Sequence, residues 1–229
     1  MSPDVNDTSG IPTVFLLVAS PRHGFGEALS QHIAAGVVQG GAATTWFSLA
    51  SHHIAGCTEC DACQRVPREC ILNDSPGDGL AELEGFLDDC DLLAVVTPVF
   101  FAGPPSQLKA VYDRFQSRWA RRYIHGETAR AKRTASLILT GGGGDPYGFD
   151  PLVTISKSAL AIMGFRIDQI EGFIGETAMR PILASLAAGT PRDKHADPLV
   201  LPEMLVDRAV ALGKDLARRA HEAREGGNV

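Results

Sequence analysis

Residues 13–19, Thr-Val-Phe-Leu-Leu-Val-Ala, form an apolar run that stops at Ser20-Pro21. A run this short, bounded by turn residues, reads as a strand buried on both faces. The spacing then predicts a helix over roughly Gly26 to Val38 and a second short strand over Thr44 to Leu49. A helix near Gly79 to Leu87 and a third strand over Asp91 to Thr97 follow, with Leu-Leu-Ala-Val-Val at the strand's centre. Ser106 to Trp119 has helical periodicity, with Leu108, Val111, Tyr112 and Phe115 on one side. Ala135 to Thr140, a helix from about Pro151 to Met163, a strand over Phe165 to Phe173 and a helix from about Pro202 to Arg224 complete the pattern. Five strands separated by helices predict a parallel sheet covered on both faces. The segment Ala178 to Leu201, rich in Pro, Gly and Ala, is expected as a surface loop or an excursion packed on a partner subunit.

At 229 residues the chain is expected to form one domain over 13–229, preceded by a flexible N-terminal segment over 1–12. That segment is polar and has neither the basic start nor the apolar stretch of a targeting peptide. A net charge of −6 argues against a general nucleic-acid binder. No apolar run approaches the ~20 residues of a membrane span. The expected location is the cytoplasm, where thiols stay reduced.

That matters because four cysteines crowd one stretch: Cys57-Thr-Glu-Cys60-Asp-Ala-Cys63, then six residues, then Cys70, within an insert at about 52–75. Cysteines at intervals of three can direct their sulfurs into one small volume, and thiolates suit iron–sulfur clusters. Zinc accepts four thiolates too, although its usual ligands come as two pairs separated by a longer span. Disulfides, or reduced and empty thiols, are the remaining readings. His52 and His53, just before the run, read as loop residues before they read as proton carriers. Cys90, beside a strand, reads as a small core residue.

Ligands of open parallel sheets bind beyond the carboxyl ends of the strands. Three loops there carry unusual residues. Ser20-Pro21-Arg22-His23-Gly24-Phe25-Gly26 combines a hydroxyl, an arginine and a helix start, the parts of a phosphate cradle. It is neither G-x-G-x-x-G nor a Walker loop. Thr97-Pro98-Val99-Phe100-Phe101-Ala102-Gly103-Pro104-Pro105 is stiffened by proline and places two aromatics where a flat ring would lie. Thr140-Gly141-Gly142-Gly143-Gly144-Asp145 lets backbone approach a ligand closely. Each has a plain alternative as a connector, a core contact or a surface loop.

The Ser-Pro-Arg loop, the Thr-Pro-Val-Phe-Phe-x-Gly loop running into Leu108-Lys109-Ala110-Val111-Tyr112-Asp113-Arg114, and the glycine run resemble the NAD(P)H-dependent FMN reductase group of flavodoxin-like proteins. The cysteine run, followed by Asn73-Asp74, is similar to that group's iron–sulfur flavoprotein branch. The resemblance covers about residues 13 to 175. It implies a flavodoxin-like sheet of order 2-1-3-4-5 and FMN at its edge. Ser20, Arg22, Gly24, Phe25, Gly26 and Glu27 would surround the phosphate. Thr97, Pro98, Val99, Phe100, Phe101 and Gly103 would line one side of the ring, and Thr140, Gly141, Gly142, Gly143, Gly144 and Asp145 the other. Cys57, Cys60, Cys63 and Cys70 would hold a 4Fe–4S cluster. Where the group reads Gly-Asn-Thr or Gly-Asn-Ser, this chain has Phe25-Gly26-Glu27, so Glu27 is expected to point away or to pair with Arg22. Where a tyrosine is common, it has Phe100.

The expected function is electron transfer between a one-electron donor and a two-electron acceptor through FMN and the cluster. The alternative is a cluster-free NAD(P)H-dependent FMN or quinone reductase. NAD(P)H is a candidate donor in either case, and no acid–base catalyst is required. The resemblance also implies a homodimer or homotetramer and a ferredoxin-like carrier. Arg118, Arg121, Arg122, Arg130, Lys132 and Arg133 read as either a solvated face or that carrier's docking patch. A third class, a zinc-holding interaction module, would lack flavin.

Overall fold

The computed structural model describes residues 10–128, 133–174 and 201–226. Its centre is a five-stranded sheet of β1 (Thr13–Val18), β2 (Ala43–Ser48), β3 (Leu92–Pro98), β4 (Arg133–Gly141) and β5 (Phe165–Ile174). The spatial order is β2-β1-β3-β4-β5 and every neighbouring pair is parallel. This is the flavodoxin-like order, and it brings every strand's carboxyl end to one edge of the molecule.

The residue pattern explains the layering. Successive side chains of a strand point to opposite faces. Phe15, Leu17, Leu93 and Val95 therefore enter one core, shared with Leu83 and Leu87 of α3 (Leu80–Asp89), Leu108 and Val111 of α4 (Ser106–Arg114) and Leu152 of α6 (Asp150–Ile162). Val14, Leu16, Ala94 and Val96 enter the other, against Leu29 and Ile33 of α1 (Phe25–Gln39) and Ala209 and Leu216 of α7 (Glu203–Gly226).

One expectation is corrected. The helix expected over Ser106 to Trp119 is two helices, α4 and α5 (Gln116–Tyr123), broken at Phe115, where ψ is −1°. The break buries the two successive side chains Arg114 and Phe115. A straight helix would splay them about 100° apart. The cysteine insert holds the four-residue α2 (Ala62–Arg65) and a 3₁₀ turn over Ile71–Asp74. Its base is closed by a bridge between His53 and Asp78 and by the Gly79 amide donating to the His53 carbonyl at 2.9 Å. The excursion expected over 178–201 lies outside the described residues except for Leu201, which is buried. So does most of the expected flexible segment.

Candidate functional site

The first loop leaves β1 at Ala19, whose amide donates to the Val96 carbonyl at 2.8 Å. Ser20 is buried and its hydroxyl donates to the Arg22 carbonyl at 2.8 Å, so it shapes the loop. Arg22 is exposed beside it. Among the described residues, no side chain caps the start of α1. The amides of a first helical turn have no intrahelical acceptor, so this uncapped end offers donors and a positive dipole to an anion. Phe25 and Gly26 are buried beneath. Of the two arrangements expected of Glu27, pairing with Arg22 is not seen; it pairs with His23. The (i, i+4) geometry on the helix favours this and leaves Arg22 to the loop.

The second loop is a tight turn in which Phe100 and Gly103 exchange amide-to-carbonyl bonds, both 2.9 Å. Its central residues, Phe101 and Ala102, have φ of 50° and 60°. Left-handed backbone costs a residue with a side chain roughly 1–2 kcal/mol. Ala102 is held by the Leu152 amide, which donates to its carbonyl at 2.9 Å. Phe101 projects fully into solvent and Phe100 is about half exposed. Thr97 is enclosed and donates to the Pro98 carbonyl at 3.0 Å, so it supports the loop from within. The third loop lies next along the edge, with the Val99 amide donating to the Thr140 carbonyl at 3.0 Å. Gly143 and Gly144 adopt φ of 79° and 87°, which glycine alone takes without strain. The Asp145 carboxylate accepts the Tyr147 amide at 2.9 Å and so serves the loop's own turn. The structure thus gathers the three loops at one edge, with Thr97 and the Asp145 carboxylate as supports.

The four cysteines line one pocket of about 350 Å³. Cys57 and Cys60 are exposed, and Cys63 and Cys70 partly so. Burial pushes the Cys63 thiol above its ordinary value, and the nearby sulfurs of Cys70, Cys57 and Cys60 push the same way against its backbone hydrogen bond. Among the described residues, no three Cys, His, Asp or Glu are grouped to hold a single metal ion. The pocket floor is Arg114, whose residue is 1% exposed. Its Nη1 donates to Asp78 at 2.9 Å and to the Ala55 carbonyl at 3.0 Å. Its Nη2 donates to Asn73 at 2.6 Å and to Asp78 at 3.3 Å, and its Nε to the Cys70 sulfur at 3.0 Å.

Arg114 and Asp78 are the residues that sequence reasoning passed over. Arg114 ends the Leu108 to Arg114 block that carries the resemblance, but nothing in the chain marks it as buried beneath the cysteines. Burial opposes ionisation of Asp78, but the Arg114 hydrogen bond and those from the Ala55 and Leu80 amides outweigh it and hold the carboxyl below its usual range. Stabilisation from a depressed carboxyl is complete above the unfolded value of ~3.9 and is lost as pH falls through the folded value. Thermal denaturation followed from neutral into acid pH should therefore steepen in that window, and less so in Asp78→Asn. Equal slopes would exclude Asp78 as the source.

Two arginines of the basic cluster are paired with carboxylates. Arg118 pairs with Glu84 and Asp88, both at 3.0 Å, and Arg121 with Glu69 and Glu127. Arg133 donates to the Leu87 and Cys90 carbonyls, both at 2.7 Å, and lies over the Phe165 ring. Arg130 and Lys132 lie outside the described residues. His52 stacks on Phe47 and bonds to the Ser48 carbonyl, a structural role. Cys90 is a core residue whose thiol burial pushes up to about 12.

The fold and the three edge loops define a flavodoxin-like protein. A family model for NADPH-dependent FMN reductases matches residues 12–194, and the chain belongs to that family. Its fold is similar to an NAD(P)H:quinone oxidoreductase from Methanothermobacter marburgensis, at 16% identity and a TM-score of 0.56, over 90% of this chain and 99% of that one. RosB with bound 8-demethyl-8-formylriboflavin 5′-phosphate is similar at 12% identity and a TM-score of 0.59, over 96% and 81%. A flavone reductase matches at 15% identity and a TM-score of 0.56 over 93% of this chain, which spans 64% of that protein's length. Comparison with curated proteins gives no match. Among the described residues, no helix is long and apolar enough to cross a membrane.

Proposed function

We propose that the protein is an FMN-dependent oxidoreductase that takes electrons from NAD(P)H and passes them to a quinone-like or flavin acceptor. The observation that carries this reading is the uncapped start of α1 set beside the Phe100–Gly103 turn and the glycine run at one sheet edge. Membership of the FMN reductase family supports it. The residues fit the cofactor: open amides and Arg22 for the phosphate, bare aromatics for one ring edge, and glycine backbone for the other. Bound FMN would supply the redox chemistry, accepting a hydride and releasing electrons singly or in pairs. The chain's own part is to bind, orient and shield. Left-handed strain holds Phe101 out from the core, where a stacking ligand would cover it.

The test is NADH or NADPH oxidation by the purified, FMN-loaded protein with a quinone acceptor. Turnover is expected, and its absence with both nucleotides would sink the proposal. Phe101→Asn keeps a residue tolerant of the left-handed turn and removes the ring. It should leave stability within about 0.5 kcal/mol and weaken FMN binding about fivefold, which is roughly 1 kcal/mol of stacking. Fluorescence titration of FMN checks this.

A second element concerns the cysteines. Four thiols line one pocket, and their compact spacing in the chain suits an iron–sulfur cluster better than the two separated ligand pairs usual for zinc. With a cluster bound, the protein joins the iron–sulfur branch and links one-electron donors to the two-electron acceptor. A ferredoxin-like donor remains part of this proposal, and on the basic face expected to dock it Arg118 and Arg121 are paired with carboxylates. In Cys57→Ser, NAD(P)H–quinone turnover should persist while transfer from a one-electron donor is lost. Unchanged transfer from that donor would favour the cluster-free reductase.

A further inference from the structure

Arg114 carries chemistry that the flavin edge does not use. A guanidinium is rarely enclosed, because losing water is costly unless its donors are matched. Here all five are used. Four go to Asp78, Asn73 and the Ala55 carbonyl, so both the ion pair and the walls of the cysteine excursion are tied to α4. The fifth goes to a sulfur, that of Cys70.

The other three cysteines stand differently. They lie on the stretch 57–63, where Glu59 and Asp61 flank Cys60 with φ of 53° and 58°. The short α2 in that stretch has no side-chain cap and no buried residue. The site therefore has one sulfur bonded to a buried side chain of the core, and three on a stretch held through backbone atoms, as where His125 bonds to the Cys63 carbonyl at 2.9 Å. An N–H donor aimed at a ligand sulfur also favours the electron-rich state of a bound cluster.

We propose that Arg114 is a positioning residue: it holds Cys70 as the pre-set ligand of the four-cysteine site and, through its Nε–H to that sulfur, raises the reduction potential of a cluster bound there. This rests on the cluster reading above. Lysine cannot replace arginine at this position, since one ammonium cannot reach Asp78, Asn73 and the sulfur with the guanidinium's fork.

The experiment compares wild type, Arg114→Lys and Arg118→Lys after anaerobic cluster reconstitution of the full chain. Arg118 is the control because its hydrogen bonds go to Glu84 and Asp88. Iron and sulfide per chain, the rate of iron loss to a chelator and the midpoint potential are measured. Arg114→Lys should lose iron at least about tenfold faster, in line with outer-shell changes at metal sites, and its potential should fall. Arg118→Lys should keep wild-type values. Wild-type behaviour of Arg114→Lys, or equal losses in both variants, overturns the proposal.

If wild type takes up no iron and sulfide, the cluster reading fails. The positioning role is then read in the metal-free protein by heteronuclear NMR, which also serves if Arg114→Lys does not fold. An Arg114 Nε–H resonance protected from exchange, and moved by Cys70→Ala, supports the role. A resonance that Cys70→Ala leaves unmoved overturns it.

Discussion

Arg114→Met should destabilise the protein by about 3–5 kcal/mol, the loss expected when one partner of a buried ion pair is removed. For a chain of this size that lowers the melting temperature by roughly 10 °C. The loss arises less from the missing attraction than from what stays behind. Asp78 is 2% exposed at its side chain and would keep its charge with the two amides of Ala55 and Leu80 alone. The Ala55 carbonyl and Asn73 would lose their donors in the same step. Neutralising Asp78 as well should recover part of the loss, so Arg114→Met with Asp78→Asn should be more stable than the sum of the two single variants allows. Denaturant unfolding of the four proteins measures that coupling. Simple additivity would mean the pair contributes no specific interaction.

Gly213→Ala should cost about 3 kcal/mol, at the upper end of overpacking losses, although alanine is the better helix former by about 1 kcal/mol. A methyl there would sit 2.1 Å from the Ile33 carbonyl oxygen and 2.8 Å from the Gly36 Cα and the Val37 nitrogen. All three are backbone atoms of α1, so no side chain can swing away. The helices must separate, and α1 carries the uncapped N-terminus at the phosphate loop. FMN affinity should therefore fall together with stability. The contrast is Gly85→Ala in α3, where a methyl meets nothing within 4 Å. There the same change should stabilise by about 0.5–1 kcal/mol. Thermal melts of both variants, with and without FMN, test the pair, and a stable Gly213→Ala would show that α1 and α7 can separate freely.

The strands were readable because the inner ones are buried on both faces. Val14 to Ala19 and Leu92 to Val96 are almost fully enclosed, and such runs admit few other readings. The edge loops were readable because proline, glycine and paired aromatics rarely meet without a backbone reason. The break at Phe115 was hidden, since the apolar spacing from Leu108 to Phe115 runs through it without interruption. The partner of Glu27 is hard to read from the chain because proximity to Arg22 competes with a helical (i, i+4) neighbour, His23. The Arg114 clamp was out of reach for a different reason. Its partners lie 36 to 59 positions away in sequence, and only the closure of the excursion at His53 and Asp78 brings them together. Nor could the chain by itself show that Arg118 and Arg121 find carboxylates, because Glu69, Glu84 and Asp88 come from other elements.

The most direct measurement is the absorbance spectrum of anaerobically purified and reconstituted protein, with FMN, iron and sulfide assayed per chain. The expected result is flavin bands from one FMN over a broad iron–sulfur shoulder, with about four irons and four sulfides, as a cubane requires. Flavin without iron would contradict the cluster and leave a simple FMN reductase. A chain that takes up no FMN would contradict the account at its centre.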